Sequence, residues 1–270
     1  MSSVLADAAS LPPADPRLVG VAALAASDRC EHRATFEHEA GGGPVAGITA
    51  ADGDVVDEDT VSGDWVDTLV ERVGRTGPVY VSGHPLAARL TEHYGPLDTG
   101  GDPFVLVGVA DTVVYREGRP AAVVARSFVD RTGDRPAPER ATRADRFRPW
   151  LCALALDHAG FDVHGLDLVT LKHDGSLRED HDHLEAAVRR AVEGGHGTPV
   201  PTEFGPDGVA VMGPDAGTIA FEERYDRTAY QPFLTDVLSY WRGERPARGP
   251  PTPHECSGCR FHGTCDHALR

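Results

Sequence analysis

Four of the five cysteines stand where a metal could use them as ligands. Cys30 lies alone near the N-terminus, whereas Cys256, Cys259 and Cys265 form a C-x2-C-x5-C pattern close to the C-terminus. The segment around these three is rich in Pro and Gly and has almost no apolar periodicity, so it cannot bury three thiols as core residues. Thiolates bind zinc and iron–sulfur clusters. If Cys30 supplies a fourth ligand, a metal or cluster joins the first and last elements of the chain.

A local zinc site is the alternative for the same residues. Cys256, Cys259 and Cys265 could take His262 or His267 as a fourth ligand, because three thiolates and one imidazole are a common structural zinc site. Cys30 would then be an ordinary buried thiol. The fifth cysteine, Cys152, falls in an apolar stripe and is predicted to be a small core residue.

The charged residues are unusual in kind as well as in number. The formal net charge is −16, and Lys172 is the only lysine, so nearly every cation is an arginine. This composition is typical of a halophilic archaeon that accumulates salt, where acidic surfaces keep proteins soluble. At molar salt the Debye length is about 3 Å, so the overall acidity does not exclude nucleic acid as a partner.

Targeting signals are absent from the sequence pattern. No apolar run approaches the roughly 20 residues needed to span a membrane, and the first residues lack the basic region of a signal peptide. We therefore expect a cytoplasmic protein without membrane contacts. In that reducing compartment the cysteines are better read as metal ligands than as disulfides.

Alternating and helical hydrophobic patterns predict a mixed α/β domain. A short helix is expected to end near Cys30, and a hairpin is expected from strands 104–115 and 121–128, with its tip at Glu117-Gly118. A helix over 139–160 and a strand over 163–171 follow. Further helices are predicted over 64–73, 184–192 and 228–241. We expect a single domain over 1–270 with its core at about 78–235.

These features together resemble the iron–sulfur branch of the PD-(D/E)XK, or RecB-like, nuclease superfamily. Examples are the CRISPR-associated RecB-like exonucleases and the nuclease domain of AddB. Cys30-Glu31-His32-Arg33 matches the C-x-x-R of that family, and 240–244 leads into the cysteine segment as it does there. The resemblance covers nearly the whole chain. It implies a restriction-endonuclease-like core with a mixed β-sheet flanked by helices, its termini stapled by a [4Fe-4S] cluster on Cys30, Cys256, Cys259 and Cys265.

The catalytic motif of that family is matched only in its first part. An Asp ends one strand and Glu-x-Lys follows on the next, so that the two acids hold Mg²⁺ or Mn²⁺. Asp111, after Gly-Val-Ala, matches the Asp and could bind such a cation. Glu-x-Lys aligns with Val124-Ala125-Arg126, which offers an aliphatic side chain and a guanidinium that cannot act as a base.

The family's Gln-x-x-x-Tyr helix motif reads here from Arg148 to Cys152. We therefore expect a degenerate catalytic site in which Asp111 and Arg126 are relics. Arg126 and Arg148 would instead bind the phosphates of a nucleic acid, because guanidinium groups pair well with phosphate oxygens.

The implied function is binding to, or action on, DNA single strands or ends in repair or CRISPR adaptation, with a possible protein partner in a repair complex. Two alternatives stay open. The first is an active metal-dependent DNA exonuclease whose site is rebuilt with another carboxylate, such as Asp130, Asp145 or Asp157. The second is a zinc-stapled structural or interaction protein.

Overall fold

A computed structural model describes residues 18–40, 79–90, 104–128, 142–173, 198–199, 209–212, 218–250, 256, 259 and 261–265. Within these ranges the chain forms eight strands and four helices. The strands are β1 (Leu18–Gly20), β2 (Val79–Arg89), β3 (Val105–Arg116), β4 (Arg119–Phe128), β5 (Asp167–His173), β6 (Thr198–Pro199), β7 (Val209–Met212) and β8 (Thr218–Arg224). The helices are α1 (Val21–Ala26), α2 (Glu31–Ala40), α3 (Arg143–His158) and α4 (Gln231–Trp241).

All eight strands belong to one mixed sheet. Its order is β1-β3-β4-β5-β8-β7-β6, and β2 pairs with β3 beside this path. The pairs β1–β3 and β4–β5 are parallel, whereas β2–β3, β3–β4, β5–β8 and β7–β8 are antiparallel. Helix α3 connects the parallel strands β4 and β5 and packs against both. The predicted α/β class with a mixed sheet flanked by helices is confirmed.

The central hairpin forms where the sequence predicts it. Strands β3 and β4 meet at Glu117-Gly118, which have φ of 53° and 79°. Two consecutive residues with positive φ make the tight turn whose twist matches antiparallel strands, and glycine at the second position makes it accessible. The hairpin carries Asp111 on one strand and Arg126 on the other.

Helix α3 is bounded by its capping residues. Thr142 is the N-cap, and it exchanges hydrogen bonds with Asp145 in a capping box. The helix therefore begins at Arg143, later than the predicted residue 139. It ends before Gly160, whose φ is 88°. Its predicted apolar positions are all buried in the core, namely Phe147, Trp150, Leu151, Leu154 and Leu156.

The start of the described chain differs from the prediction. Leu18–Gly20 is a short strand parallel to β3, and helix α1 begins only at Val21. One edge of β3 at Val105–Val107 can accept another strand, and the hydrogen bonds that Leu18–Gly20 makes there outweigh the helix propensity of these three residues. A turn at Ser27–Arg29 then leads to Cys30, as expected.

Two predicted helices, over 64–73 and 184–192, lie outside the described residues. Among the helices that are described, none combines the length and apolarity needed to cross a lipid bilayer.

Candidate functional site

Helix α1 lies very close to strand β3 beside the predicted catalytic aspartate. A Cβ atom on Gly108 would stand 2.9 Å from Cβ of Val21, closer than real Cβ contacts come. Glycine at this position therefore permits the approach, because it has no side chain to displace the helix. The consequence is that α1 brings Ala22 and Ala25 to the edge of the site.

Asp111 is held by two arginines. Nη2 of Arg148 donates a hydrogen bond to Oδ1 at 3.0 Å, and the backbone N–H of Arg126 donates to Oδ2 at 2.6 Å. Nη2 of Arg126 lies 4.0 Å from Oδ1. Arg148 also donates from Nη1 to the carbonyl oxygen of Arg126 at 3.2 Å. The structure thus brings the three residues predicted around the catalytic position into one network.

The faces of strand β4 are fixed by contacts to its neighbours. Oγ of Ser127 donates to Oδ1 of Asp145 on α3 at 2.7 Å, and Ala125 lines a cavity beside α1 and α3. Side chains alternate along a strand, so Val124 points to the opposite face of the sheet. Val124 is fully buried there.

The predicted alignment of Val124 and Arg126 with the Glu and Lys of the family motif stays a prediction. The backbone places the side chains of Ala125 and Ser127 on the face of α3, and the guanidinium of Arg126 also reaches this site, 4.0 Å from Asp111. Neither a second carboxylate nor a lysine occupies these positions.

The carboxylates that could rebuild a metal site are engaged elsewhere. Asp145 has a side chain only 5% exposed and accepts hydrogen bonds from Thr142 N and Oγ1 at 2.8 and 2.7 Å. Asp157 accepts from the hydroxyl of Tyr225 at 3.2 Å and pairs with Arg227 at 3.6 Å. Asp130 lies outside the described residues. These two carboxylates are therefore engaged by other partners, and Mg²⁺ or Mn²⁺ at Asp111 stays a prediction.

An arginine-lined cavity of about 280 Å³ opens between α1, β4 and α3. Alanines form much of its wall, and the charged lining residues among those described are Arg29, Arg33, Arg126, Arg148 and Asp145. The side chains of Arg29, Arg126 and Arg148 are 48%, 35% and 32% exposed, so cationic groups face the solvent. We call this space the arginine cleft. The sequence pointed to two of its arginines. Arg29, in the turn after α1, was missed, and Arg33, on α2, was noted only in the match to C-x-x-R.

The cysteines of the two chain ends approach each other. Burial raises the pKa of the Cys30 thiol, and the nearby thiols of Cys265 and Cys256 raise it further. Within the described residues, however, no group of three or more His, Cys, Asp or Glu side chains is arranged to hold a metal ion. The thiol donors suit an iron–sulfur or zinc site in kind. Ligation by all four stays a prediction.

A cluster of ion pairs also connects the two chain ends, and sequence reasoning missed it. Glu31, the first residue of α2, is 2% exposed. It accepts hydrogen bonds from Arg245 Nη1 and Nη2 at 2.7 and 2.5 Å and from the backbone N–H of Arg248 at 2.7 Å. Phe36 and Phe261 stack beside this contact with ring centroids 5.2 Å apart. We call the contacts of Glu31 with Arg245 and Arg248 the terminal clamp.

Comparisons with known proteins provide no family assignment. No protein-family model matches the chain, and no curated protein matches it. Among solved structures, the crystal structure of SSO0001 aligns with a TM-score of 0.43 and 14% sequence identity, over 99% of this chain and 94% of that one. A score this low assigns no fold, and we infer nothing about function from it.

Proposed function

We propose that this protein is a catalytically degenerate, iron–sulfur member of the PD-(D/E)XK superfamily that binds DNA single strands or ends without cutting them. The observation that carries the proposal is the guanidinium of Arg148 on Asp111, with a contact of 3.0 Å. A divalent cation at Asp111 would have to displace this group or lie beside its charge. A nucleic-acid phosphate, in contrast, is attracted by it.

The side chains around Asp111 support loss of cleavage. In a metal-dependent nuclease two carboxylates orient the cation and a base activates water. Here residues 124–127 of β4 include no acid and no lysine, and Asp111 is the remaining acid of the motif. Arg126 and Arg148 supply forks that can bind phosphate oxygens but cannot accept a proton from water at any accessible pH.

An iron–sulfur cluster would serve as a structural staple in this proposal. Bound through Cys30, Cys256, Cys259 and Cys265, it would close a loop of most of the chain and so reduce the entropy of the unfolded state. The proximity of Cys30 to Cys256 and Cys265 supports this assignment.

Metal analysis of anaerobically purified protein tests the staple. We expect iron and acid-labile sulfide near the stoichiometry of one [4Fe-4S] cluster, with loss of both in Cys30→Ser. Cys152→Ser is the matched control, because Cys152 is 1% exposed in the core and should leave the cluster intact. Zinc without sulfide, retained in Cys30→Ser, would instead support the zinc-stapled interaction protein.

DNA binding and cleavage are tested together on labelled single strands at the salt concentration of the native cytoplasm. We expect wild-type protein to bind equally well in EDTA and in Mg²⁺, to leave the strand uncut, and to lose affinity in Arg148→Ala. Robust cutting that disappears in Asp111→Ala would show an active exonuclease and overturn the proposal. Absence of any binding to the strand would also overturn the proposal.

A further inference from the structure

We propose that the arginine cleft binds the terminal phosphate monoester of a nucleic-acid strand, in preference to an internal phosphodiester. This inference rests on the proposed DNA binding and names the part of the strand that the site takes. It follows from the charge of the cleft, the directions from which its arginines come, and the chemistry of its walls.

A terminal phosphate monoester and an internal phosphodiester differ in charge. The arginines of the cleft are Arg29, Arg33, Arg126 and Arg148, and the described carboxylates beside them are Asp145 and Asp111. A phosphodiester carries one negative charge, whereas a phosphate monoester carries nearly two at neutral pH. The guanidinium groups of the cleft therefore attract a strand end more strongly than an internal phosphate.

The two carboxylates are turned toward protein donors. Asp145 accepts from Thr142 and Ser127, and Asp111 accepts from the backbone of Arg126 and the guanidinium of Arg148. Their side chains are 5% and 15% exposed, far less than those of the cleft's arginines. What a ligand meets first is therefore the cationic surface.

Guanidinium groups enter the cleft from two sides. On one side, Arg29 lies in the turn after α1 and Arg33 lies on α2. On the other side, Arg126 lies on β4 and Arg148 lies on α3. A terminal phosphate offers three unesterified oxygens and can accept hydrogen bonds from both sides at once. An internal phosphate offers two. Helix α3 also begins at the cleft, so the positive end of its dipole adds to the attraction.

The walls select a phosphate and not a base. Alanines line the cleft at Ala22, Ala25, Ala26, Ala125 and Ala144, and none of the described lining residues is aromatic. A base would find no ring on which to stack. The volume of about 280 Å³ lies at the lower limit of small-molecule pockets, which are roughly 300–1,000 Å³. It holds a phosphate with little more than its sugar.

Binding to matched oligonucleotides tests the inference. One single-stranded sequence is prepared with a 5′-phosphate or a 5′-hydroxyl and a fluorescent label at the 3′ end, and a second pair reverses the ends. Fluorescence polarisation is measured in EDTA at native salt. We expect one phosphorylated end to bind about ten- to a hundredfold tighter than its hydroxyl counterpart, as charge-assisted hydrogen bonds allow.

Variants locate the effect in the cleft. Arg29→Ala should lose the preference for phosphate while still binding the hydroxyl strand, and Arg148→Ala should lose the preference together with part of its affinity for both strands. Arg29 lies at the surface with a side chain 48% exposed, so its removal leaves the fold intact. Arg119→Ala is the matched control, because Arg119 is similarly exposed but pairs with Asp162 at the hairpin tip. It should keep the preference.

The outcomes separate this inference from the proposed function. Equal binding of phosphorylated and hydroxyl strands, or a preference that survives in both cleft variants, would overturn the terminal-phosphate site and leave DNA binding standing. No binding of either strand would remove the proposed function as well. Competition by inorganic phosphate at the same concentration as the phosphorylated strand would assign the cleft to a free phosphate and not to a nucleic-acid end.

Discussion

At the residue scale, Arg148 determines what the site around Asp111 can do. It supplies a fixed positive charge 3.0 Å from the carboxylate, held in place by a second hydrogen bond to the backbone of Arg126. Of its five N–H donors these two bonds use two, so the fork is oriented in advance and still has donors for a ligand. Orientation before binding lowers the entropy that binding costs.

The faces of strand β4 predict which substitutions create a metal site. Ala125→Glu with Ser127→Lys and Arg148→Gln should place a second acid and a lysine on the face of Asp111 and remove the competing guanidinium. We expect this triple variant to bind Mn²⁺, measured by electron paramagnetic resonance, and to gain Mn²⁺-dependent cleavage of labelled single-stranded DNA.

The triple variant Val124→Glu with Arg126→Lys and Arg148→Gln is the matched control, since it adds the same residue types one position earlier and also removes the competing guanidinium. It should gain neither activity, and it should be less stable, because Val124 is 0% exposed and an unpaired buried carboxylate is costly. Cleavage by this control variant, or Mn²⁺ binding by both variants, would contradict the assignment of the faces of β4.

The same strand shows why sequence alone could not say which side chains of β4 share a face with Asp111. Residues 121–125 read Ala-Ala-Val-Val-Ala, with small apolar side chains on both faces. A strand buried on both sides carries no period-two signal, so its phase cannot be read from hydrophobicity. The hydrogen bond from Ser127 to Asp145 on α3 was needed to determine which side chains of β4 face that helix.

At the scale of elements, the site depends on how closely α1 approaches β3. Gly108→Ala would place a methyl group 2.9 Å from Cβ of Val21, so the helix must shift. We expect a loss of about 1–3 kcal/mol in the free energy of unfolding, as for other overpacked positions. Chemical denaturation measures the change.

Val21→Gly in the Gly108→Ala background supplies the control for this prediction. Removing the facing Cβ and its methyl groups should recover part of the loss, so that the two substitutions together cost less than their sum. Additive costs would show that the contact of α1 with β3 tolerates a methyl group.

The terminal clamp holds the N-terminal helix α2 on the C-terminal segment without a metal. Glu31→Gln removes the carboxylate that Arg245 and Arg248 share, and leaves the side chain of Arg245, 17% exposed, without its main partner. Breaking a buried ion pair costs about 3 kcal/mol or more. We expect a loss of that size on chemical denaturation, and faster proteolysis of the segment after residue 245.

Glu244→Gln is the control, since Glu244 is exposed and contacts Arg242. It should change neither stability nor proteolysis. A Glu31→Gln protein as stable as wild type would show that the chain ends are held by other contacts.

Elements differed in how far sequence could predict them. The β3–β4 hairpin was predictable because alternation and the Glu-Gly turn are local signals. The terminal clamp was not, because Glu31 and Arg245 lie 214 residues apart in the chain and nothing local to either residue indicates that they pair. The strand β1 was missed for a similar reason, since its pairing partner Val105–Val107 is remote.

At the scale of the whole molecule, burial of weak acids links stability to pH. Burial raises the pKa of Cys152 to about 12, and it also raises the pKa of Tyr115 and Tyr230 well above the ordinary value for tyrosine. In the unfolded chain these groups lose their protons near pH 9 to 10. The folded protein keeps them to higher pH, so above about pH 9 the unfolded state binds fewer protons.

The stability of the protein should therefore be lost on the alkaline side. Because the folded pKa values are raised, the contribution of these groups is complete below pH 9 and falls as pH rises toward 12, by about 1.4 kcal/mol per pH unit for each group. Urea denaturation at pH 7, 8, 9, 10 and 11 should give a flat curve followed by a steep decline. Cys152→Ala removes one such group, so the decline should be shallower by about 1.4 kcal/mol per pH unit, which corresponds to one proton. The comparison concerns only this slope and not the stability of the variant at pH 7. Parallel declines in the two proteins would show that Cys152 ionises equally in both states, which its complete burial in the core makes unfavourable.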